Sequence, residues 1–164
     1  MTSLVVEDGS GVVGANTYIS EVDCDTYCED RGLTAWASLT SDQKVAAIFR
    51  AMEYIESLQY KGQKSDTDHS LKWPRVYVFT EDSYLLDSDE IPEDLRKAVA
   101  RGAYEESQSA GCLASTLARS SFTKREKVGQ IEVEYDSFNY ESVFRNIENL
   151  LKDLISVKAD LLRV

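Results

Sequence analysis

Apolar residues recur at helical spacing in three long stretches of the chain. Val45, Ile48, Phe49, Met52 and Ile55 form one stripe, with Arg50, Glu53 and Glu56 on the opposite side. Thr40 caps this helix and Gln43, three residues on, reaches back to it, so the helix starts with a capping box and ends near 60–62. Leu95, Ala98, Val99, Gly102 and Ala103 line a second helix that runs to about Gly111. Pro92 opens it, in the first turn where its missing N–H has no partner to lose. Its small residues let a neighbouring helix approach closely, which is the expected compensation for Gly102, a residue costing ~1 kcal/mol against alanine inside a helix. A third helix starts near Tyr140, with Val143, Ile147, Leu150, Leu151 and Leu154 inside and Arg145, Glu148 and Lys152 outside. A shorter helix follows the cap Ser20, carries Glu21 and Asp23 in its first turn, and stops between Asp30 and Gly32.

The remaining stretches obey other patterns. Val5 to Gly14 reads as a short strand and a glycine-rich turn, without the Lys-Ser/Thr ending of a phosphate loop or the spacing of a dinucleotide-binding turn. Residues 62–91 have no clean period, and Trp73-Pro74 forbids a regular helix there. Val76, Val78 and Leu85 can form short extended segments within this long loop, a type of segment that is often functional. Ile131, Val133 and Tyr135 alternate with Gln130, Glu132 and Glu134, which is strand spacing. The expected fold is mainly α: a small helical bundle in one domain over 1–155, with an extended β-hairpin arm over 122–136 and an apolar C-terminal tail over 156–164.

Composition narrows the function classes. The 164 residues are 43% hydrophobic, enough for a core. Against 29 acids stand 18 Lys and Arg, giving a formal charge of −11, which weighs against a domain gripping phosphates over its whole surface. The first 30 residues hold seven acids and no base, and residues 81–94 hold seven more with no base. Bases gather instead at Lys61, Lys64, Lys72 and Arg75, and at Arg119, Lys124, Arg125 and Lys127. No apolar run approaches the roughly 20 residues of a membrane span, and the N-terminus is not expected to be a signal peptide. Cys24, Cys28 and Cys112 are too few for a disulfide framework, and a structural role in a reducing compartment is expected of them.

Candidate chemistry is sparse. His69 is the one histidine and lies in a polar stretch, where an exposed loop histidine is expected. No calcium-loop pattern, metal-ligand spacing or cofactor motif is present, so neither an enzyme nor a cofactor-binding protein is expected. Lys72, Trp73 and Arg75, beside Lys64 and Tyr77, interleave bases with aromatics as single-strand binders do. A tryptophan before proline is more readily a packed anchor, so this contact belongs to the alternative reading.

Several segments together resemble a tailed-phage family. They are VEDGSGVVGANTYIS from Val6, Gly32 with Trp36, AAIFRAMEYIE over 46–56, LKWPR over 71–75, IPEDLRKAV over 91–99 and KVGQIEVEY over 127–135, closed by Leu162-Arg163-Val164. Such proteins are labelled DnaT-like single-stranded DNA-binding proteins, and the resemblance is read as one to head–tail connectors, the adaptors of the phage neck. It implies a homo-oligomeric ring, dodecameric in that family, in the virion at the head–tail interface after synthesis in the host cytoplasm. Its partners would be the portal protein, tail or neck proteins, and double-stranded DNA passing through without specific binding. On that reading Leu161, Leu162, Arg163 and Val164 dock into the portal. Lys124, Arg125, Lys127, Ile131, Val133 and Tyr135 form an inter-subunit arm, and the basic stretches 61–75 and 119–127 face acids of adjacent copies. The alternative is a single-stranded DNA-binding accessory protein of phage replication, which would attract phosphates where a conduit repels them.

Overall fold

Two long helices packed along each other form the spine of the computed structural model, which describes residues 3–114, 125–128, 131–134 and 140–156. In chain order the helices are α1 (Glu21–Asp30), α2 (Thr34–Ala37), α3 (Ser41–Ser57), α4 (Glu93–Gln108) and α5 (Tyr140–Leu151). Two small sheets accompany them: β1 (Gln63–Lys64) with β2 (Arg75–Val76), and β3 (Arg125–Val128) with β4 (Ile131–Glu134), both antiparallel. The expected mainly helical class holds.

Local signals placed the helix starts. The Ser20 hydroxyl accepts the Asp23 amide, and Thr40 and Gln43 form the full capping box. α3 turns Ala47, Ile48, Ala51, Met52 and Ile55 inward, and α4 answers with Leu95, Ala98, Val99, Gly102 and Ala103. Gly102 lies at the seam: a Cβ built there would stand 3.2 Å from Ala51 Cβ and 3.2 Å from Leu113 Cδ1. Ile147, Leu151 and Leu154 close the core from the α5 side. Trp36, from the short α2, is buried under α1 and keeps its indole N–H on Asp25 Oδ1 at 2.7 Å.

The glycine-rich loop resolves into an anion nest that is already filled. Buried Glu7 accepts the backbone amides of Gly9 at 2.9 Å, Gly11 at 2.8 Å and Val12 at 2.9 Å. The loop's inward N–H groups are therefore spent on its own carboxylate, which is why it offers nothing to a phosphate. Gly9 (φ 106°) and Gly11 (φ 80°) are required by contact as well as by backbone. A Cβ would lie 2.0 Å from the Asp89 carbonyl oxygen at the first and 2.3 Å from His69 Nε2 at the second. His69 is thus half-buried against the loop, with Nδ1 3.2 Å from Ser65 Oγ, and not the exposed histidine expected.

The stretch 62–91 consists of two short ribbons. β1–β2 pairs Gln63 with Val76 and Lys64 with Arg75. A second hairpin runs from Val78 to Leu86, with Phe79 bridged to Leu85. The arm at β3–β4 pairs with itself in the register Arg125↔Glu134 to Val128↔Ile131. No helix among the described residues is long and apolar enough to cross a membrane.

Candidate nucleic-acid interface

Holding a single strand takes cations for phosphates and aromatic faces for bases. Most cations in the described residues are already committed. Lys44 pairs with Asp25 at 2.8 Å, Arg50 with Glu106 at 2.9 Å, Lys97 with Glu93 at 2.8 Å, Arg101 with Glu105, and Lys152 with Glu81 at 3.0 Å. Lys64, Lys72 and Arg75 are committed differently, to backbone carbonyls. Lys72 Nζ donates to Leu58 O at 2.8 Å; Arg75 donates to Lys61 O at 2.7 Å, Lys72 O at 3.2 Å and Gly62 O at 2.9 Å; Lys64 Nζ donates to His69 O.

Trp73, between Lys72 and Arg75, is fully buried. Its ring meets Tyr60 edge-on at 5.8 Å, and its backbone amide donates to the Tyr18 hydroxyl at 3.1 Å. That hydroxyl donates in turn to Glu56, whose other oxygen accepts the Lys72 amide at 3.1 Å. Burial, then Glu56, pushes the Tyr18 phenol far above its ordinary value, so it stays a donor. The structure therefore corrects the Lys72–Trp73–Arg75 contact: its ring stacks in the core and its cations tie a loop together. Of the 61–75 bases expected to face another copy, Lys64, Lys72 and Arg75 donate to backbone carbonyls of their own chain. Arg125, Lys127, Ile131 and Val133 lie in the self-paired β3 and β4. Lys124, Tyr135 and the tail residues Leu161, Leu162, Arg163 and Val164 lie outside the described residues.

The accessible cation–ring chemistry lies elsewhere, where α1 packs on α4. Arg31, the C-cap residue of α1, sits with its guanidinium carbon 3.8 Å from the Tyr27 ring centre. About two turns of α4 bring Lys97, Arg101 and Tyr104 to the same side, with Arg101 5.7 Å from the Tyr104 ring centre. Burial raises the Tyr27 phenol, while the charges of Arg31, Arg101 and Lys97 pull it down. Lys97, through its hydrogen bond and charge, holds the Glu93 carboxyl below its ordinary value, and Arg96 and Arg31 add to this. Arg31 and Arg96 are exposed and make no ion pair among the described residues. Arg31, which also donates to Tyr27 O at 3.3 Å, and Arg96 thus carry charge outside ion pairs on an acidic protein. Sequence reading missed this face because its residues come from two helices that periodicity treats separately.

A cavity of about 500 Å³ beside α3 is lined by Phe49, Met52, Leu71, Glu53 and Glu56. Its two carboxylates turn phosphates away. The described residues hold no cluster of three or more His, Cys, Asp or Glu arranged for a metal ion. All three cysteines are buried, and burial lifts the Cys28 thiol to about 11 and the Cys112 thiol to about 12.

Fold and surface together define a mainly helical protein whose accessible side chains offer cation–ring recognition. The model of the family described as "Putative DnaT-like ssDNA binding protein" matches residues 2–164, and the chain belongs to that family. No curated protein and no solved structure matches it. The family match overturns the head–tail adaptor reading. With it go the portal, tail and neck partners, the dodecameric ring and the passage of double-stranded DNA, because the family is described by single-stranded DNA binding. The adaptor reading came from taking the resemblance as one to head–tail connectors, and the charge of −11 reinforced it although a whole-chain sum says nothing of a local basic face.

Proposed function

We propose that the protein is a single-stranded DNA-binding accessory protein, acting without catalysis in phage replication. Membership of the DnaT-like family over residues 2–164 carries this reading. The α1–α4 region supports it: exposed Arg31 and Arg96 are available to phosphates, and half-buried Tyr104 and the Tyr27 ring under Arg31 are available at their open sides to bases. Binding through two cations is weak and strongly salt-dependent, and the acidic remainder of the surface repels phosphates that stray from that path.

The test is fluorescence anisotropy of a labelled oligothymidylate across a salt series. Wild type binds at low salt with affinity falling as salt rises. Replacing Arg31 and Arg96 together by alanine weakens binding and flattens the log–log salt slope by about 1.4, two phosphates at ~0.7 each for a single strand. Absence of binding at low salt, or an unchanged slope in the double variant, overturns the proposal.

A further inference from the structure

The Val78–Leu86 hairpin leaves an apolar face in water. Val78 and Leu86 form one pair, with Leu86 N donating to Val78 O at 2.9 Å, and Val78 is fully buried. The next pair, Phe79 and Leu85, therefore points to the opposite side. There Phe79 is 50% and Leu85 59% exposed; Tyr77 at 68% precedes the hairpin, and Tyr84 at 72%, next to Leu85, alternates to the other face. These four make up most of the large exposed hydrophobic residues among the described ones, gathered within nine positions.

The hairpin is also an open edge. Thr80 N donates to Tyr84 O at 2.9 Å and Ser83 N to Thr80 O at 2.9 Å, which closes the turn. The backbone amides of Phe79 and Leu85, between the bonded pairs, donate no hydrogen bond among the described residues. They point outward from the ribbon, as amides of a non-bonded antiparallel pair do.

Charge selects the occupant. Asp82, Asp87, Asp89 and Glu90 flank the hairpin, are exposed, and make no ion pair among the described residues. Glu81 at the turn keeps only Lys152. Residues 81–94 contain no base. A nucleic acid is repelled from such a rim, so the exposed aromatic rings here do not serve the strand held at α1–α4. A strand added at the Phe79 edge would lay alternate side chains beside Phe79, on the face that Leu85 extends one strand further across, and offer the others to the acids.

We infer that the Val78–Leu86 hairpin is a docking edge for a partner protein, which adds an extended segment of alternating apolar and basic residues as a third strand. This partner site shares no residue with the proposed DNA-binding face, so it stands or falls independently of the function proposed above.

The experiment uses the full chain and a fluorescein-labelled octapeptide of alternating valine and lysine, read by anisotropy. The peptide binds wild type, and a valine–glutamate peptide does not. Methylating alternate peptide amides abolishes binding, as expected for main-chain addition. Phe79→Ser with Leu85→Ser weakens binding at least tenfold at an unchanged unfolding midpoint, because both side chains are exposed. The Arg31→Ala/Arg96→Ala variant binds the peptide like wild type, and oligothymidylate does not displace it. The inference is overturned by undetectable peptide binding, by equal binding of the acidic peptide, or by displacement with oligonucleotide. Sedimentation showing that the wild type self-associates and the Phe79/Leu85 variant does not would overturn it too, by making the occupant a second copy.

Discussion

Arg50 of α3 donates through Nε to Glu106 of α4 at 2.9 Å, and Glu106 is buried to 1% side-chain exposure. The same carboxylate accepts the amides of Gly111 at 2.7 Å and Leu113 at 2.8 Å. One buried acid thus joins the two central helices and fixes the chain leaving α4.

Glu106→Ala removes all three bonds and leaves buried donors without partners. We expect it to cost ~3 kcal/mol in urea unfolding. Arg50→Ala should cost less, ~1–2 kcal/mol, because Arg50 is partly exposed and the carboxylate keeps its two amides. A larger loss for Arg50→Ala than for Glu106→Ala would refute this ordering.

The α3–α4 seam has no room at Gly102, with Ala51 and Leu113 carbons 3.2 Å from where a Cβ would lie. Gly102→Val should lower stability by ~2 kcal/mol through overpacking, despite the gain from replacing glycine in a helix. The thermal midpoint reads it. A more stable valine variant would show that the helices can separate without loss.

Stability should fall as pH rises through about 8.5, where unfolded thiols ionise. Burial raises Cys28 to about 11 and Cys112 to about 12, so the folded chain keeps protons that the unfolded chain releases. Their contribution is complete below the unfolded value and is lost as pH climbs through the folded values. Replacing both cysteines by alanine should lower stability at neutral pH and flatten the decline between pH 9 and 11. An equally steep decline in the double variant would assign it to other groups.

Lys72, Trp73 and Arg75 should act on stability and not on DNA affinity. Trp73→Ala empties a fully buried site and should cost ~3 kcal/mol or more. Arg75→Ala releases three carbonyls of its own loop and costs less. Oligothymidylate should leave the emission of buried Trp36 and Trp73 unchanged. Quenching of that emission would place bases against the core tryptophans.

The sequence by itself determined the helices. Thr40 with Gln43, Ser20 with Asp23, and the apolar stripes of α3 and α4 are relations within four residues, so local chemistry fixes them. It also determined the alternation that becomes β4 and the small-residue seam at Gly102. What only the tertiary structure decided is where the polar groups go. Arg50 and Glu56 fall on the polar side of α3, yet one meets Glu106 across 56 residues of chain and the other meets Tyr18 across 38. Lys72, Trp73 and Arg75 have the composition of a single-strand contact and the burial and bonding of a structural knot. Tyr27 and the C-cap Arg31 of α1 and Arg101 and Tyr104 of α4 form no motif and become neighbours only when α1 lies on α4. The reason is physical: periodicity tells which side of a helix avoids water, but a charge or a ring becomes a partner or a site through distance, and folding sets that distance.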